Sequence, residues 1–470
     1  MTVIGLRVDL AKIFVGSFSM EAWLMSLRGF SAVVLLGFGV GQFQPAAMAQ
    51  ADVGRTSEKQ LPALTEIYKH LHENPELSGH EVKTGAYVAD HLRKLGYTVT
   101  EHVGKYEDGS RAEGVVAVFE NGAGPRLLLR TELDALPVEE KTGLDYASHV
   151  TTTNAQGQTI PVMHACGHDL HMTVMLGVAR ELMERKAAWH GTVTIIGQPA
   201  EETIGGAKAM LADNLYERFG RPDFVLSEHD SNDVAAGTIS IKGGPLLASA
   251  TTLTVTIRGI GGHGSAPQAG KDPIVLAAEF VLVAQTIVSR QIDPQDPAVL
   301  TVGTIHGGTK NNIIPDEVTM GLTLRTYSTA VRDKIVEAVR REAKGLAEGY
   351  GIPADRMPTV RMDESTPPTI NDAALAERLK AVAVSTLGPD RVSDAKAIMA
   401  SEDVGLFTLD GKIPGVMYWL GAADAGKLAE SRKTGVPLPS LHSALFAPVY
   451  GEAIPTGVAA MTAMAISLLK

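Results

Sequence analysis

The order of strand and helix signals changes near residue 248, and this change constrains the fold more than any other feature. Before it, apolar strand-like segments such as Arg126–Arg130 and Thr192–Gly197 lie on either side of an amphipathic helical segment at Met172–Lys186. Such alternation is typical of a mixed or parallel sheet flanked by helices. Active-site residues of open α/β sheets lie at strand ends, in loops, so we expect them there.

The segment 248–365 has a different order of elements. It contains strands and helices at Thr251–Arg258, Pro273–Ser289, Ala298–Ile305, Val318–Thr326, Ala330–Tyr350 and Thr359–Met362. That order is the βαββαβ pattern of a split two-layer sandwich. The first pattern then resumes, with a strand at Val416–Leu420 and a final helix. We therefore predict one α/β domain in two parts, 55–247 and 366–470, with 248–365 inserted between them.

The amino-terminal residues 1–49 indicate a leader. From about residue 25, Arg28 precedes an apolar run at Phe30–Val40, and Ala47-Met48-Ala49 offers small residues for a signal peptidase. We predict a signal peptide that is cleaved after Ala49, and hence a periplasmic or secreted protein with no membrane partner after leader removal. An amphipathic helix or a membrane anchor is the alternative interpretation of this segment.

Charge and cysteine content narrow the partners but not the compartment. The 470 residues carry a formal net charge of −11 and show no basic stripe, so nucleic acid is not an expected partner. A single cysteine, Cys166, cannot form an internal disulfide and says nothing about the compartment.

That cysteine lies in a cluster of metal-binding residue types. Cys166 and His168 are one residue apart, with Gly167 between them, and Glu201-Glu202 follow downstream in Gln198–Glu202. Thiolate, imidazole and carboxylate bind divalent transition metals, and a second carboxylate can transfer protons. If Cys166 and His168 bind the same metal, their segment is predicted to be an extended loop, because a helix would point the two side chains apart. A buried structural cysteine, or a nucleophilic Cys166 with His168 or His171 as its base, are alternatives.

Two further histidines are weaker candidates. His229 follows the apolar strand-like segment Phe224–Glu228 and is predicted to lie at a strand end, and His442 lies in a loop after a proline-rich run. Taken alone, each is typical of an ordinary polar loop residue.

Together, eight segments resemble the metal-dependent amidohydrolases that include aminoacylases, carboxypeptidase G-type enzymes, hippurate hydrolases and indoleacetyl-amino-acid hydrolases, the last two most of all. The segments are HENPELSGHE (72–81), LRTELDALPVEE (129–140), MHACGHDLH (163–171), QPAEE (198–202), GGHGSAPQAGKDPI (261–274), NNIIPD (311–316), SEDVGLF (401–407) and LHSALF (441–446). The resemblance runs from about residue 60 to the carboxyl end.

This resemblance implies a mixed-sheet, zinc-peptidase-like catalytic domain with an inserted ferredoxin-like α+β lid or dimerisation domain. It implies two divalent metal ions per subunit, manganese or zinc first and cobalt or nickel as alternatives. The implied ligands are Cys166, His168, Glu202, His229 and His442. Glu201 is the implied general base and acid, and Asp134 and Asp169 are implied to orient ligand imidazoles.

The resemblance also implies a substrate site in the inserted segment. His263, Asn312 and Arg325 match residues that contact the carboxylate and carbonyl oxygen of the substrate, and the histidine often comes from a partner subunit. The expected function is hydrolysis of the amide bond of small N-acyl or N-aroyl amino acids, in a protein that can form a homodimer through the insertion. A dipeptidase or carboxypeptidase of the same family is the alternative, and a non-catalytic binding protein is disfavoured because Glu201 is present.

One position departs from the pattern. This chain has Glu132 where the hippurate-type branch usually has aspartate, and other branches carry a histidine ligand there. A glutamate reaches further than aspartate and could approach a metal, which leaves the role of Glu132 open.

Overall fold

The structure, a computed structural model, describes residues 45–154 and 156–470, with side chains from Ser57 onward. Residues 1–44, which hold most of the predicted leader, lie outside the described residues, so the signal peptide stays a prediction.

Within the described part of the chain, the α-helices are α1 (Pro45–Glu73), α2 (Val82–Lys94), α3 (His168–Glu184), α4 (Gly206–Ala212), α5 (Leu215–Phe219), α6 (Pro273–Gln291), α7 (Thr329–Gly349), α8 (Ala373–Leu387), α9 (Ala425–Thr434) and α10 (Tyr450–Leu468). The strands are β1 (Thr98–Lys105), β2 (Arg111–Asn121), β3 (Arg126–Glu132), β4 (Thr151–Thr153), β5 (Thr159–Pro161), β6 (Gly191–Gln198), β7 (Phe224–Ala235), β8 (Ile239–Ile241), β9 (Gly244–Leu247), β10 (Ala250–Arg258), β11 (Gly262–His263), β12 (Ala298–Gly307), β13 (Ile313–Ile314), β14 (Glu317–Thr326), β15 (Thr359–Thr366), β16 (Thr369–Asn371), β17 (Val392–Asp394) and β18 (Gly415–Ala423).

A mixed eight-stranded sheet forms the larger layer, in the order β1-β2-β6-β3-β7-β18-β8-β17. Strands β6, β3, β7 and β18 are parallel to their neighbours in that series, whereas β1 and β2 pair antiparallel. Leu127 and Leu129 of β3 pack into the core under α1, α3 and α10, and Leu128 faces a second core on the other side. Because both faces are covered, the central strands are continuously apolar. The predicted mixed α/β fold is confirmed.

A second, smaller layer is built from residues 250–366. Its four strands lie in the order β12-β14-β10-β15 with antiparallel neighbours, and α6 and α7 pack against one face. Leu253, Val255 and Ile257 of β10 are fully buried in that core, and the residues between them are more exposed. This is the βαββαβ order that the sequence predicts, with the short strands β11 and β13 added. Strands β9 and β16 pair with each other where the chain leaves and re-enters the larger layer.

Among the helices of the described residues, two are long and apolar enough to cross a membrane by length and composition alone. In α10, 72% of the most apolar window is buried inside the protein, which fits a core helix; in α6 the share is 33%. Part of the apolar surface of α6 is therefore exposed on the outside of the chain.

Gly177 of α3 sets how closely three helices approach. A Cβ atom added there would lie 2.5 Å from Cγ2 of Val458 on α10 and 3.0 Å from Cδ1 of Leu64 on α1. Tightly packed interiors cannot absorb such overlap without shifting neighbouring side chains.

We therefore expect Gly177→Ala to lower the free energy of unfolding by about 1–3 kcal/mol, because the added methyl overpacks the helix crossing. Gly345→Ala is the matched control, since Gly345 lies in α7 with no heavy atom within 4 Å of the added Cβ. That change should stabilise by roughly 0.5–1 kcal/mol through helix propensity. Urea unfolding of both variants measures this, and equal effects would contradict the packing argument.

Candidate active site

The carboxyl ends of the central parallel strands bring the candidate residues together. Glu201 and Glu202 lie in the turn after β6, next to β3 in the sheet. His229 lies inside β7, opposite Trp419 of β18. Cys166 lies in the turn just before α3, His168 is the first residue of α3, and His442 comes from the loop before α10. The site therefore occupies the strand-end position expected for an open α/β sheet.

Two local predictions were wrong. His168 begins α3 instead of lying in an extended loop, because Gly167, with a φ of 78°, turns the chain directly into the helix. A Cβ at Gly167 would lie 2.4 Å from Oδ1 of Asp230, so only glycine fits. His229 is not at a strand end, because β7 continues to Ala235 through its pairing with β18.

The five predicted metal ligands and Glu201 converge. The Cys166 Sγ atom lies 3.3 Å from Nε2 of His442 and 3.5 Å from Nε2 of His229. Nε2 of His442 lies 3.4 Å from Oε2 of Glu202. Nε2 of His168 faces Oε2 of Glu201 at 3.9 Å and Oε1 of Glu202 at 4.0 Å.

These atoms fit divalent metal ions. Cys166, His168 and His229 form one group whose ligand atoms lie within 4.8 Å of one another, and Cys166, Glu202 and His442 form another. The two groups share the Cys166 thiol, and together their five residues would hold two divalent ions. Nε2 of His168 and Oε1 of Glu202 are buried and have no hydrogen-bond partner among the described residues. Buried polar atoms normally have partners, and sulfur, nitrogen and oxygen together suit a divalent transition metal.

The pKa values of Cys166 and Glu201 also favour metal binding over a nucleophilic thiol. Burial, and then the nearby Glu202 and Glu201 carboxylates, raise the pKa of the Cys166 thiol well above its usual range. Burial together with Glu402 and Asp403 raises the pKa of Glu201 as well. A nucleophilic thiol requires the opposite shift, which disfavours the cysteine-nucleophile alternative. A bound cation favours the thiolate, so a metal would stabilise the charges that the protein alone disfavours.

Neighbouring groups orient the candidate ligands. Nδ1 of His168 contacts the backbone oxygen of Asp134 at 2.8 Å and Oδ1 of the Asp134 carboxylate at 3.4 Å. The other oxygen, Oδ2, accepts from the Glu202 amide at 3.0 Å. Asp134 thus orients one imidazole and the backbone of one carboxylate, as metal-binding sites commonly require. Nδ1 of His229 donates to the Asp230 carbonyl oxygen at 2.8 Å, which leaves Nε2 free to face Cys166.

Asp169 has a different role from the one implied. Its Oδ2 lies 2.7 Å from Nδ1 of His72 on α1, and Oδ1 accepts from the Leu170 amide; it does not orient a ligand imidazole. The physical reason is the start of α3, which turns Asp169 toward α1, away from the cavity. Nε2 of His72 contacts Glu140 at 3.1 Å, so a buried histidine is held between two carboxylates.

Glu132 is part of a buried ionic network. It pairs with the fully buried Arg130, and its Oε2 lies 2.9 Å from Nδ1 of His171. Arg130 also contacts Glu402 at 2.5 Å and Asp403 at 3.1 Å. The sequence analysis assigned no role to Arg130, Glu402 or Asp403. The last two lie in the quoted segment 401–407, and their two adjacent carboxylates were the available signal.

A cavity of about 380 Å³ opens at this cluster. It is lined by candidate ligands, by Glu201, by the apolar Leu247, Ile398, Trp419 and Leu441, and by Arg325 of β14. Within the described part of the chain, no carboxylate lies within ion-pair distance of Arg325, whose pKa is lowered by burial. A larger groove of about 470 Å³ lies between α1, α8 and α10, away from these residues.

His263 and Asn312 are not brought to this cavity. Both are exposed and lie side by side at the antiparallel pair of short strands β11 and β13, where the Gly264 amide donates to the Asn312 carbonyl oxygen at 2.8 Å. Neither residue lines the cavity. The structure thus joins Arg325 to the candidate metal ligands within one chain and leaves the other two predicted substrate residues apart.

Comparisons with known proteins also indicate similarity to metal-dependent hydrolases. The sequence profile of peptidase family M20/M25/M40 matches residues 128–444. The chain is 36% identical to N-acetyl-L-cysteine deacetylase of Bacillus subtilis, over 68% of this chain and 71% of that protein. It is 35% identical to hippurate hydrolase of Campylobacter jejuni, over 73% and 84%. The crystal structure of the Bacillus subtilis YXEP protein, described as a dinuclear metal-binding peptidase of the M20 family, superposes with a TM-score of 0.70 at 28% identity, covering 88% of this chain and 99% of that one.

The His72 ion pairs make stability depend on pH. The hydrogen bonds to Asp169 and Glu140 outweigh desolvation and raise the pKa of His72 from 6.5 to about 10. A group whose pKa rises on folding stabilises the protein fully below the unfolded pKa, and that contribution is lost as the pH rises through the folded pKa. We expect His72→Gln to cost roughly 3–5 kcal/mol at pH 6 and progressively less toward pH 10.

The measurement is urea unfolding at several pH values between 6 and 10. His70→Gln is the control, because His70 is exposed on the same helix. A penalty for His72→Gln that does not change with pH would rule out the charged pair.

Proposed function

Because the chain belongs to peptidase family M20/M25/M40, whose members hydrolyse amide bonds, we propose that it cleaves N-acyl or N-aroyl amino acids to a carboxylic acid and an amino acid. One observation carries this proposal. The guanidinium of Arg325, which has no carboxylate partner in the described residues, shares a cavity with the candidate metal ligands and Glu201. A half-buried arginine fork suits a carboxylate, and the amino-acid product of such an amide carries one.

The apolar side chains that line the cavity support the proposal that the substrate carries an acyl or aroyl group. Leu247, Ile398, Trp419 and Leu441 line the same cavity and offer an aromatic or aliphatic group a dry surface. N-acetyl-L-cysteine deacetylase and hippurate hydrolase differ in their acyl group, so the relatives do not choose between a small and an aromatic acyl substituent.

In the proposed reaction, Glu201 moves the proton. Two divalent ions, held by Cys166, His168, Glu202, His229 and His442, would supply Lewis acidity toward the carbonyl oxygen and the attacking water. Glu201 takes a proton from that water as the carbon–oxygen bond forms, and gives it to the leaving nitrogen as the carbon–nitrogen bond breaks. Its raised pKa suits a carboxylate that must hold the proton between these steps.

We also propose a homodimer through the smaller layer. Strand β12 lies at the edge of its sheet and is largely exposed, and α6 presents Ile274, Val275 and Leu282 to the outside. Unpaired edges and contiguous apolar surface are features of interaction sites. A partner would cover this surface, and an exposed His263 from the partner chain could then complete the site. Export to the periplasm or the medium, inferred from residues 1–49, remains a proposal that rests on the sequence alone.

Glu201→Gln tests the proton transfer. The amide has the shape of the carboxylate but cannot accept the proton, so we expect kcat to fall by about 10²–10⁴-fold. Metal content should not change, because the candidate ligands stay in place. Glu202→Gln is the matched control, which should lose bound metal as well as activity. Elemental analysis and steady-state kinetics measure both. A Glu201→Gln enzyme that keeps most of its rate would contradict the mechanism.

Arg325→Ala tests the substrate class. We expect wild-type protein with added manganese or zinc to hydrolyse N-benzoylglycine faster than its amide, N-benzoylglycinamide, and to lose activity in a chelator. In Arg325→Ala this preference for the free carboxylate should shrink on the order of 10–100-fold, mainly through KM, because the anchor for the carboxylate is gone. Equal preference in both proteins would argue against the N-acyl amino acid assignment.

A further inference from the structure

The segment 72–81 contacts the loops of the site but takes no part in the proposed proton transfer. The Ser78 hydroxyl donates to Oδ2 of Asp134 at 2.7 Å, and the Ala135 amide donates to the Glu76 carbonyl oxygen at 2.8 Å. Both bonds reach the loop after β3. A third contact, made by Glu81, reaches the turn that carries Glu201.

That turn has a strained backbone. Ala200 has a φ of 49° and Ile204 a φ of 55°, values that residues with a Cβ rarely adopt. Each such residue costs on the order of 1 kcal/mol or more and persists only when its surroundings hold it. Inside the turn, the amides of Gly205 and Gly206 both donate to the Ala200 carbonyl oxygen at 3.1 Å. The direction of the Glu201 side chain depends on this geometry.

Two carboxylates from outside the turn hold the amides on either side of Glu201. The Ala200 amide donates to Oε1 of Glu81 at 2.7 Å, and the Glu202 amide donates to Oδ2 of Asp134 at 3.0 Å. Glu81 is fully buried, and the same Oε1 atom accepts from the Gly79 amide at 2.8 Å. A buried acceptor with two backbone donors is held firmly in place.

We propose that Glu81 is a positioning residue that fixes the backbone at Ala200 and thereby aims Glu201. The inference rests on the proposed function of Glu201. The acceptor oxygen matters here, and the charge does not: burial and the nearby Asp134 raise the pKa of Glu81 to about 7, so the group is partly neutral near neutral pH. A neutral side chain of the same length should therefore serve as well.

The decisive comparison is Glu81→Gln against Glu81→Asp. Glutamine keeps an oxygen at the same distance from the backbone, and we expect kcat within about threefold of wild type. Aspartate keeps the charge but is one methylene shorter, so its oxygen cannot reach both amides. We expect its kcat to fall on the order of ten- to a hundredfold, the effect of a small misplacement. KM and the metal content per chain should match wild type, since Arg325 and the candidate ligands are untouched.

Glu76→Gln is the control within the same segment. Oε2 of Glu76 accepts from the amide and hydroxyl of Thr84 and so holds the start of α2. This variant should lower the melting temperature without changing kcat per folded chain. It separates a general loss of stability in the segment from the positioning of Glu201.

Two results would overturn the inference. One is a Glu81→Asp enzyme with wild-type kcat, or one that outperforms Glu81→Gln, which would assign the role to charge. The other is a fall in kcat that only follows a fall in metal content, which would place the effect at Glu202. Rates are taken on whichever amide the wild type hydrolyses fastest. A failure of N-acyl amino acids alone therefore counts against the proposed substrate and not against Glu81.

Discussion

The structure depends on the compensation of negative charge that is buried at the carboxyl ends of the central strands of the larger sheet. Glu132, Glu402 and Asp403 surround the fully buried guanidinium of Arg130 there, and the charges of Glu402, Asp403 and Glu202 act on the nearby Glu201. One cation cannot balance several carboxylates in a medium that screens poorly, and the raised pKa values of Glu201 and Asp403 reflect this excess. Two divalent ions would balance it, and the unpartnered atoms of the cluster face the space where they would bind.

Hydrogen bonds from neighbouring segments also fix the conformation of the loops at these strand ends. The turn after β6 is strained at Ala200, yet Glu81 and Asp134 fix its amides from a neighbouring helix start and a neighbouring strand end. Asp134 also holds His168. The same few hydrogen bonds thereby position both Glu201, the proposed proton carrier, and His168, a candidate metal ligand. Strain of this kind is common at functional sites, where surrounding contacts offset its cost.

Much of the fold followed from the sequence because its signals are local. The alternation of apolar and polar residues in β10, the helical spacing of apolar residues in α7 and the apolar run in β3 each reflect which faces of the element are buried. Errors arose where tertiary contacts decided the outcome. The start of α3 at His168 depends on a close approach between Gly167 and Asp230, and the extension of β7 beyond His229 depends on its pairing with β18. Residues far apart in sequence make both contacts.

The sequence by itself determined the chemical types at the site, namely one thiol, several imidazoles and a carboxylate pair, and the order of the motifs that carry them. Only the tertiary structure decided which of them meet. It placed Arg325 in the cavity but left His263 and Asn312 exposed at the β11–β13 strand pair, and it turned Asp169 away toward His72. The physical reason is that a side chain's direction depends on the turn or strand that holds it, and those backbone conformations are fixed by contacts between distant segments.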